Sequence, residues 1–181
     1  MDSHSGLCHR AAMLRRIDQD LFDAVAAEAL ASPRLRRNHN LHAEADAVQR
    51  FLNVLQPGTY VRPHRHQREQ PEAGFECFVV LQGAVGLLLF DAGGRVIGRE
   101  RLQAVGPVRG VELREGVWHS LVALEPHSVI FELKQGPYQP TADKDFLPGF
   151  PLEGSSAALA QERSWRDLFE AAERIEEVSG G

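Results

Sequence analysis

The sequence predicts a mainly β fold, a sandwich or barrel, with one helix before it and one after it in the chain. Residues 50–133 break into about eight short β-rich runs at regular spacing, with turn residues between them. Apolar residues recur at helical spacing on either side of that region, near residues 18–30 and 155–178. Strands and helices do not alternate, so βαβ units are not expected.

Residues 1–16 show no periodicity and are expected to form a flexible leader. Asp18 suits the N-cap of a helix running to Leu30, in which Leu21, Phe22, Val25, Ala29 and Leu30 share a face. Ser32-Pro33 ends it, because the residue before a proline avoids helical backbone. Arg34–Asp46 is polar, carries Asn40 and His42 as loop-stabilising hydrogen bonders, and reads as irregular chain. The strands expected next are Phe51–Leu55, Thr59–Arg62, Phe75–Leu81, Val85–Phe90, Val96–Leu102, Val111–Leu113, Trp118–Leu124 and Ser128–Leu133. Gly- and Pro-containing turns separate them, Asp91–Gly94 being the clearest hairpin. Gly136–Gly154 reads as coil laid over the strands. A last helix follows, with Leu159, Trp165, Leu168, Phe169, Ala172 and Ile175 as its buried stripe. The whole is one globular domain: 1–16 leader, 17–49 N-terminal helix and irregular segment, 50–134 barrel, 135–181 coil and C-terminal helix.

Composition narrows the function classes. The chain has 181 residues, 43% of them hydrophobic and 25% charged, with a formal net charge of −5. Its basic groups (Arg34, Arg36, Arg37 and Arg62, Arg65, Arg68) are short and interrupted, which argues against a nucleic-acid partner. Two cysteines, Cys8 and Cys77, make no disulfide framework; reduced thiols and a cytoplasmic location are expected. No secretory signal is expected in the first residues, and the longest apolar stretch, Ala84–Phe90, is too short for a bilayer.

The chemistry gathers in a few positions. His64 and His66 are two apart and share a face if their segment is a strand. Glu76 opens a strongly apolar strand and by alternation shares a face with Phe78 and Val80, where a carboxylate needs a positive partner. His119 follows a turn glycine, Gly116, at the start of another apolar strand. Three imidazoles and a carboxylate suit one divalent transition metal ion (Fe, Mn, Ni, Co or Zn) and leave positions open for water or substrate. Glu132 and Lys134 share a strand face, and either line a pocket beside the metal or pair on an exposed surface. Together with Tyr138 they are candidates for proton transfer. Arg62, on the His64–His66 face of a regular strand, and Arg50 are candidate clamps for a substrate phosphate or carboxylate. Cys77 faces away from Glu76 as a small hydrophobe, and Trp118 reads as a wall residue.

Gly58-x5-His64-x-His66…Glu76-x6-Gly83 resembles the first cupin motif, and Gly116-x2-His119 the core of the second. The spacer between His66 and Glu76 is nine residues, against three or four in the family pattern, which makes Glu69 and Glu72 rival carboxylates. Glu76 is preferred because it alone keeps the six-residue run to a glycine with alternating apolar residues. Arg114 and Ala123 stand where the second motif commonly has proline and asparagine. Within cupins the chain resembles the WbuC family of cupin-fold metalloproteins, found among bacterial surface-polysaccharide (O-antigen, lipopolysaccharide) genes. The resemblance covers about Ser32–Gly154. It is most specific in Phe131-Glu132-Leu133-Lys134-x-Gly136-Pro137-Tyr138 and Asp143-Lys144-Asp145-Phe146.

The resemblance implies a jelly-roll β-barrel with one metal held by His64, His66, Glu76 and His119. It further implies a metal-dependent enzyme acting on a sugar or sugar-nucleotide; the reaction is left open, isomerase or epimerase type being one of those the fold hosts. Two other readings share the ligand set: an Fe(II)-dependent oxygenase and a non-catalytic sugar-binding or sensory module. The expected partner is an anionic or sugar-like small molecule. Homodimer formation, as cupins often show, could use the N-terminal helix.

Overall fold

Asp18 does cap the first helix, its carboxylate accepting the Leu21 N–H at 3.2 Å. In the computed structural model, which describes residues 14–67, 74–137 and 145–179 (side chains to 170), this helix is α1, Gln19–Ala31. Its buried face is Phe22, Val25, Ala26 and Ala29, an i, i+3, i+4, i+7 stripe. Leu30, expected in that stripe, is exposed because Ala26 rather than Leu30 completes the arc.

Among the described residues ten strands follow: β1 (Arg36–Asn40), β2 (Val48–Leu55), β3 (His64–Arg65), β4 (Phe75–Gln82), β5 (Ala84–Phe90), β6 (Val96–Gln103), β7 (Gly110–Arg114), β8 (Trp118–Ala123), β9 (Ser128–Gln135) and β10 (Asp145–Phe146). They form two antiparallel five-stranded sheets, ordered β1-β2-β9-β4-β7 and β10-β3-β8-β5-β6. The chain passes repeatedly from one sheet to the other, which makes a jelly-roll barrel, and the fold is the mainly β one expected. Arg34–Asp46, read as irregular, contains β1, paired with β2 from Arg36↔Leu55 to Asn40↔Phe51. Thr59–Arg62 carries no ladder; Pro63 has no N–H to donate, and pairing starts only at His64.

Helices cover the outer faces of both sheets. α1 packs on Leu52, Val54 and Val129, which alternate outward on β2 and β9. The second helix, α2 (Ser156–Ser179), lays Ala158, Trp165 and Phe169 over Leu88, Phe90 and Val122 of the other sheet. Gly86 permits this close approach, since a Cβ there would lie 2.4 Å from the Phe169 ring. Leu159, expected in the α2 stripe, is exposed, because the buried line runs Ala158, Glu162, Trp165, Phe169. Inside the barrel, Leu55, Val80, Leu87, Leu102, Leu121 and Ile130 belong to one continuous core that closes one end. Among the described residues no helix is long and apolar enough to cross a membrane.

Candidate metal centre and cavity

His64 on β3 and His119 on β8 are register partners, with ring centroids 4.5 Å apart. His66 lies just past β3, 5.3 Å from His64 and 6.0 Å from His119 between ring centroids. All three are buried, and one ring nitrogen from each falls within 4.8 Å of the others. Three buried histidines so placed can bind a metal ion.

Glu76, at the start of β4 in the facing sheet, closes the group. Its Oε1 is 3.3 Å from His66 Nε2 and its Oε2 3.1 Å from His119 Nε2. Burial works to raise the pKa of this carboxyl, but the charge and hydrogen bonds of His119 and His66 outweigh it and hold the group well below the usual carboxylate range. Glu76 is therefore an anion at neutral pH.

The tautomers are set by the backbone. His64 Nδ1 lies 2.9 Å from the Arg62 carbonyl, and His119 Nδ1 3.0 Å from that of Val117. A carbonyl oxygen only accepts, so each Nδ1 carries the proton, and in a neutral ring Nε2 presents a lone pair. At His119 that lone pair would face a carboxylate oxygen at 3.1 Å. Two lone pairs at this separation repel unless a cation, a proton or a metal, serves both. Three imidazole nitrogens and one carboxylate form the borderline donor set of first-row divalent ions, so the residues present fit such a metal.

A cavity of about 390 Å³ opens beside this group. His64, His119 and Glu76 form one wall, and inward residues of β1, β2 and β9 form another. Register explains which ones. Gln49, Lys134 and Glu76 are successive cross-strand neighbours in one row, and Phe51, Glu132 and Phe78 in the next. Glu132 and Lys134 are thus buried on the cavity wall, the first of the two placements their spacing allowed. Asn53 Nδ2 donates to Glu132 Oε2, and Lys134 Nζ lies 5.3 Å from the centre of the Phe51 ring. At the far rim, Arg36 is bound to Glu153 (2.7 Å) and donates to the Tyr60 carbonyl (2.9 Å).

Other candidates lie elsewhere. Arg62 stands 5.0 Å over the Phe146 ring and does not line the cavity, because Pro63 ends the strand alternation that would have carried it inward. Arg50 alternates away from Gln49 and pairs with Asp46. Tyr138, Glu69 and Glu72 lie outside the described residues. Cys77 is half-buried, its thiol pushed up mainly by desolvation. Trp118 carries the Arg65 guanidinium 4.3 Å over its ring, and Arg65 also bonds Asp145, which ties β10 to β3.

Neither Gln49, which the sequence offers only as part of the family resemblance (Gln49-Arg50), nor Asn53 was among the candidate site residues. Gln49 is 0% exposed, and neither Nε2 nor Oε1 has a hydrogen-bond partner. Asn53 Oδ1 is likewise unpartnered. Leaving a buried polar group unpaired costs about 1–3 kcal/mol, so such groups ask for an explanation. The available signal was the alternation Gln49, Phe51, Asn53, Leu55, which puts two amides on a face that elsewhere is core.

A family described as Domain of unknown function (DUF6016) matches residues 17–102. No curated protein matches the chain. Solved structures similar to it are cupin-fold proteins. KdgF from Halomonas sp. superposes with a TM-score of 0.44 at 22% identity, over 59% of this chain and 83% of that one. CapF, the capsular polysaccharide assembling protein from Staphylococcus aureus, gives 0.47 at 16%, over 61% of this chain; the match spans only 32% of CapF. The Cnp3 cupin domain from Schizosaccharomyces pombe gives 0.41 at 13%, over 55% of this chain and 64% of that one.

Proposed function

We propose that the protein is a cytoplasmic, metal-dependent cupin enzyme of WbuC type, acting on a sugar or sugar-nucleotide in surface-polysaccharide assembly. The observation that carries this reading is the convergence of three buried histidines and an ionised buried glutamate on a cavity whose other wall is polar. His64, His66, His119 and Glu76 would hold the ion. Bound there, a divalent metal supplies Lewis acidity toward a substrate oxygen.

The chain's own groups do the rest. The Arg62 and Val117 carbonyls keep His64 and His119 in the tautomer that turns Nε2 inward. Asn53 orients the Glu132 carboxylate, which as an anion accepts a proton from a carbon or hydroxyl placed against β9. Lys134, one cross-strand step from Glu76, supplies positive charge beside an anionic substrate and can return a proton. Tyr138 is a further candidate proton donor. An apolar aromatic substrate would leave the Gln49 amide and Asn53 Oδ1 unpaired, which favours the sugar reading over an oxygenase.

The test is metal analysis of protein purified without chelator, followed by turnover assays on a sugar-nucleotide panel. About one transition metal per chain is expected, lost in the His64→Ala/His66→Ala double variant. Full occupancy in that variant would remove the ligand assignment. Oxygen uptake with iron and not with zinc would replace the sugar reading with the oxygenase one. Ligand-induced stabilisation without turnover of any sugar would leave a binding module.

A further inference from the structure

We infer that Gln49 is the specificity-determining residue of a hydroxyl-reading subsite, which takes two adjacent hydroxyls of a sugar acid whose acid group lies toward Lys134. The inference rests on the proposed reading of the cavity as the site for a sugar-like anion beside a metal.

The first observation is the state of the Gln49 side chain. It is 0% exposed, lines the cavity, and has neither its amide N–H₂ nor its carbonyl oxygen in a hydrogen bond. Protein interiors rarely keep both ends of an amide unmatched. A structural amide in a β-sheet would be tied to a backbone group or a neighbouring side chain. This one is tied to nothing in the protein and belongs to the lining of the cavity.

The second observation is its position. Gln49 pairs with Lys134 across β2 and β9, and Lys134 pairs with Glu76 across β9 and β4. Strands lie about 4.8 Å apart, so Gln49 stands roughly 10 Å from the Glu76 strand position, with Lys134 midway. The single strand spacing from Lys134 to Gln49 suits the reach from the acid group of a six-carbon sugar acid to hydroxyls a few carbons along it. Its acid group would lie by the Lys134 ammonium and its hydroxyls would reach Gln49.

The third is chemical. A carboxamide presents a donor and an acceptor side by side in one plane. Two adjacent hydroxyls present the complement, one accepting and one donating. A carboxylate cannot satisfy both ends of Gln49, because it only accepts. An alkyl chain satisfies neither. Asn53 Oδ1, unpartnered while its Nδ2 is held by Glu132, offers one more acceptor for a hydroxyl deeper in the cavity.

The experiment uses D-gluconate and D-galacturonate against hexanoate, which has a carboxylate and six carbons but no hydroxyls. Each is titrated calorimetrically into manganese-loaded and metal-free protein, in the native sequence and in Gln49→Leu. The native protein should bind the two sugar acids and not hexanoate. Gln49→Leu should weaken sugar-acid binding by roughly tenfold, the loss of two neutral hydrogen bonds, with metal stoichiometry unchanged. A thermal melt of the ligand-free variant guards against a structural explanation. Its midpoint should equal or exceed the native one, since removing an unpaired buried amide breaks no bond. Native-like sugar-acid binding by Gln49→Leu, or a clear fall in its ligand-free melting point, overturns the inference. Metal content separates the two possible failures. A protein that holds manganese yet treats gluconate and hexanoate alike overturns the subsite alone. One that takes up no metal but still binds gluconate through Gln49 overturns the proposed function and leaves the subsite standing.

Discussion

The two ends of the barrel are built from the same strands and behave as different materials. Along its inward face β4 reads Glu76, Phe78, Val80, and β8 reads His119, Leu121, Ala123. From the same end, β9 reads Lys134, Glu132, Ile130, and β2 reads Gln49, Phe51, Asn53, Leu55. Each strand thus begins polar at the open end and finishes apolar at the closed end. The closed end is dry side-chain packing, which stabilises in proportion to the apolar area buried. The open end concentrates charged side chains and the unmatched ends of two amides, Gln49 and Asn53, and those amide ends cost stability until something binds them. Chemistry and stability are therefore separated along one axis rather than between domains, and each can be perturbed without the other.

The largest effect is expected at the closed end. Leu102 is fully buried in the barrel core, and Leu102→Ala should cost about 2–5 kcal/mol in denaturant unfolding. Metal stoichiometry of the folded variant should stay native. A loss of metal in proportion to the loss of stability would show that the two ends are one cooperative unit. Next comes Glu76→Gln at the open end, which should weaken metal binding by roughly 10–100-fold or more, while Glu69→Gln and Glu72→Gln leave it unchanged. The reverse ranking would move the carboxylate ligand into the 67–75 insertion. Gly86→Ala follows, on the outer face. Its new methyl would meet the Phe169 ring at 2.4 Å and should cost about 1–3 kcal/mol by forcing α2 outward. An unchanged melting point would mean that α2 is loosely held.

The same polarity gradient explains what could be read from the sequence. His64, His66, Glu76 and His119 were legible because each stands at a fixed step from a turn glycine or within an apolar alternation. Seven of the eight expected strands were legible for the same reason, and Thr59–Arg62, the eighth, carries no ladder. β1 was not, since Arg36, Asn38 and Asn40 face a polar cavity and leave no hydrophobic pattern to find. Gln49 and Asn53 escaped for a related reason: amides alternating on a strand look like its solvent side. Arg62 was drawn inward by an alternation that Pro63 interrupts. In α2 Trp165, Leu168 and Phe169 pack inward as expected, Ala172 and Ile175 lie outside the described side chains, and only Leu159 was misplaced, because a glutamate occupies one of the buried positions and charge is ordinarily a mark of the outer face.

That glutamate supplies the smallest and most specific test of the comparison. Glu76 and Glu162 are both buried carboxylates, 6% and 2% exposed, but their surroundings oppose each other. Imidazoles pull Glu76 down, whereas desolvation by burial raises Glu162 above its ordinary value near 4.5, against the opposing Gly58 N–H and Arg166. Glu162 Oε1 accepts the N–H of Gly58 at 3.1 Å and so pins α2 to the turn that precedes the histidine strand. Gly58 holds φ at +94°, a backbone state that favours glycine. A carboxylic acid whose folded pKa is raised binds its proton more tightly when folded. Its contribution to stability is complete below the unfolded value, near 4.5, and is lost as pH rises through the folded value. Glu162→Gln keeps an acceptor for Gly58 and cannot ionise, so it escapes that loss. The melting point of the variant relative to the native protein should therefore climb as pH rises from about 4 and level off once the native Glu162 is ionised. A difference that stays flat across this range would mean that Glu162 meets solvent, and that the α2 side of the barrel is wetter than its packing shows.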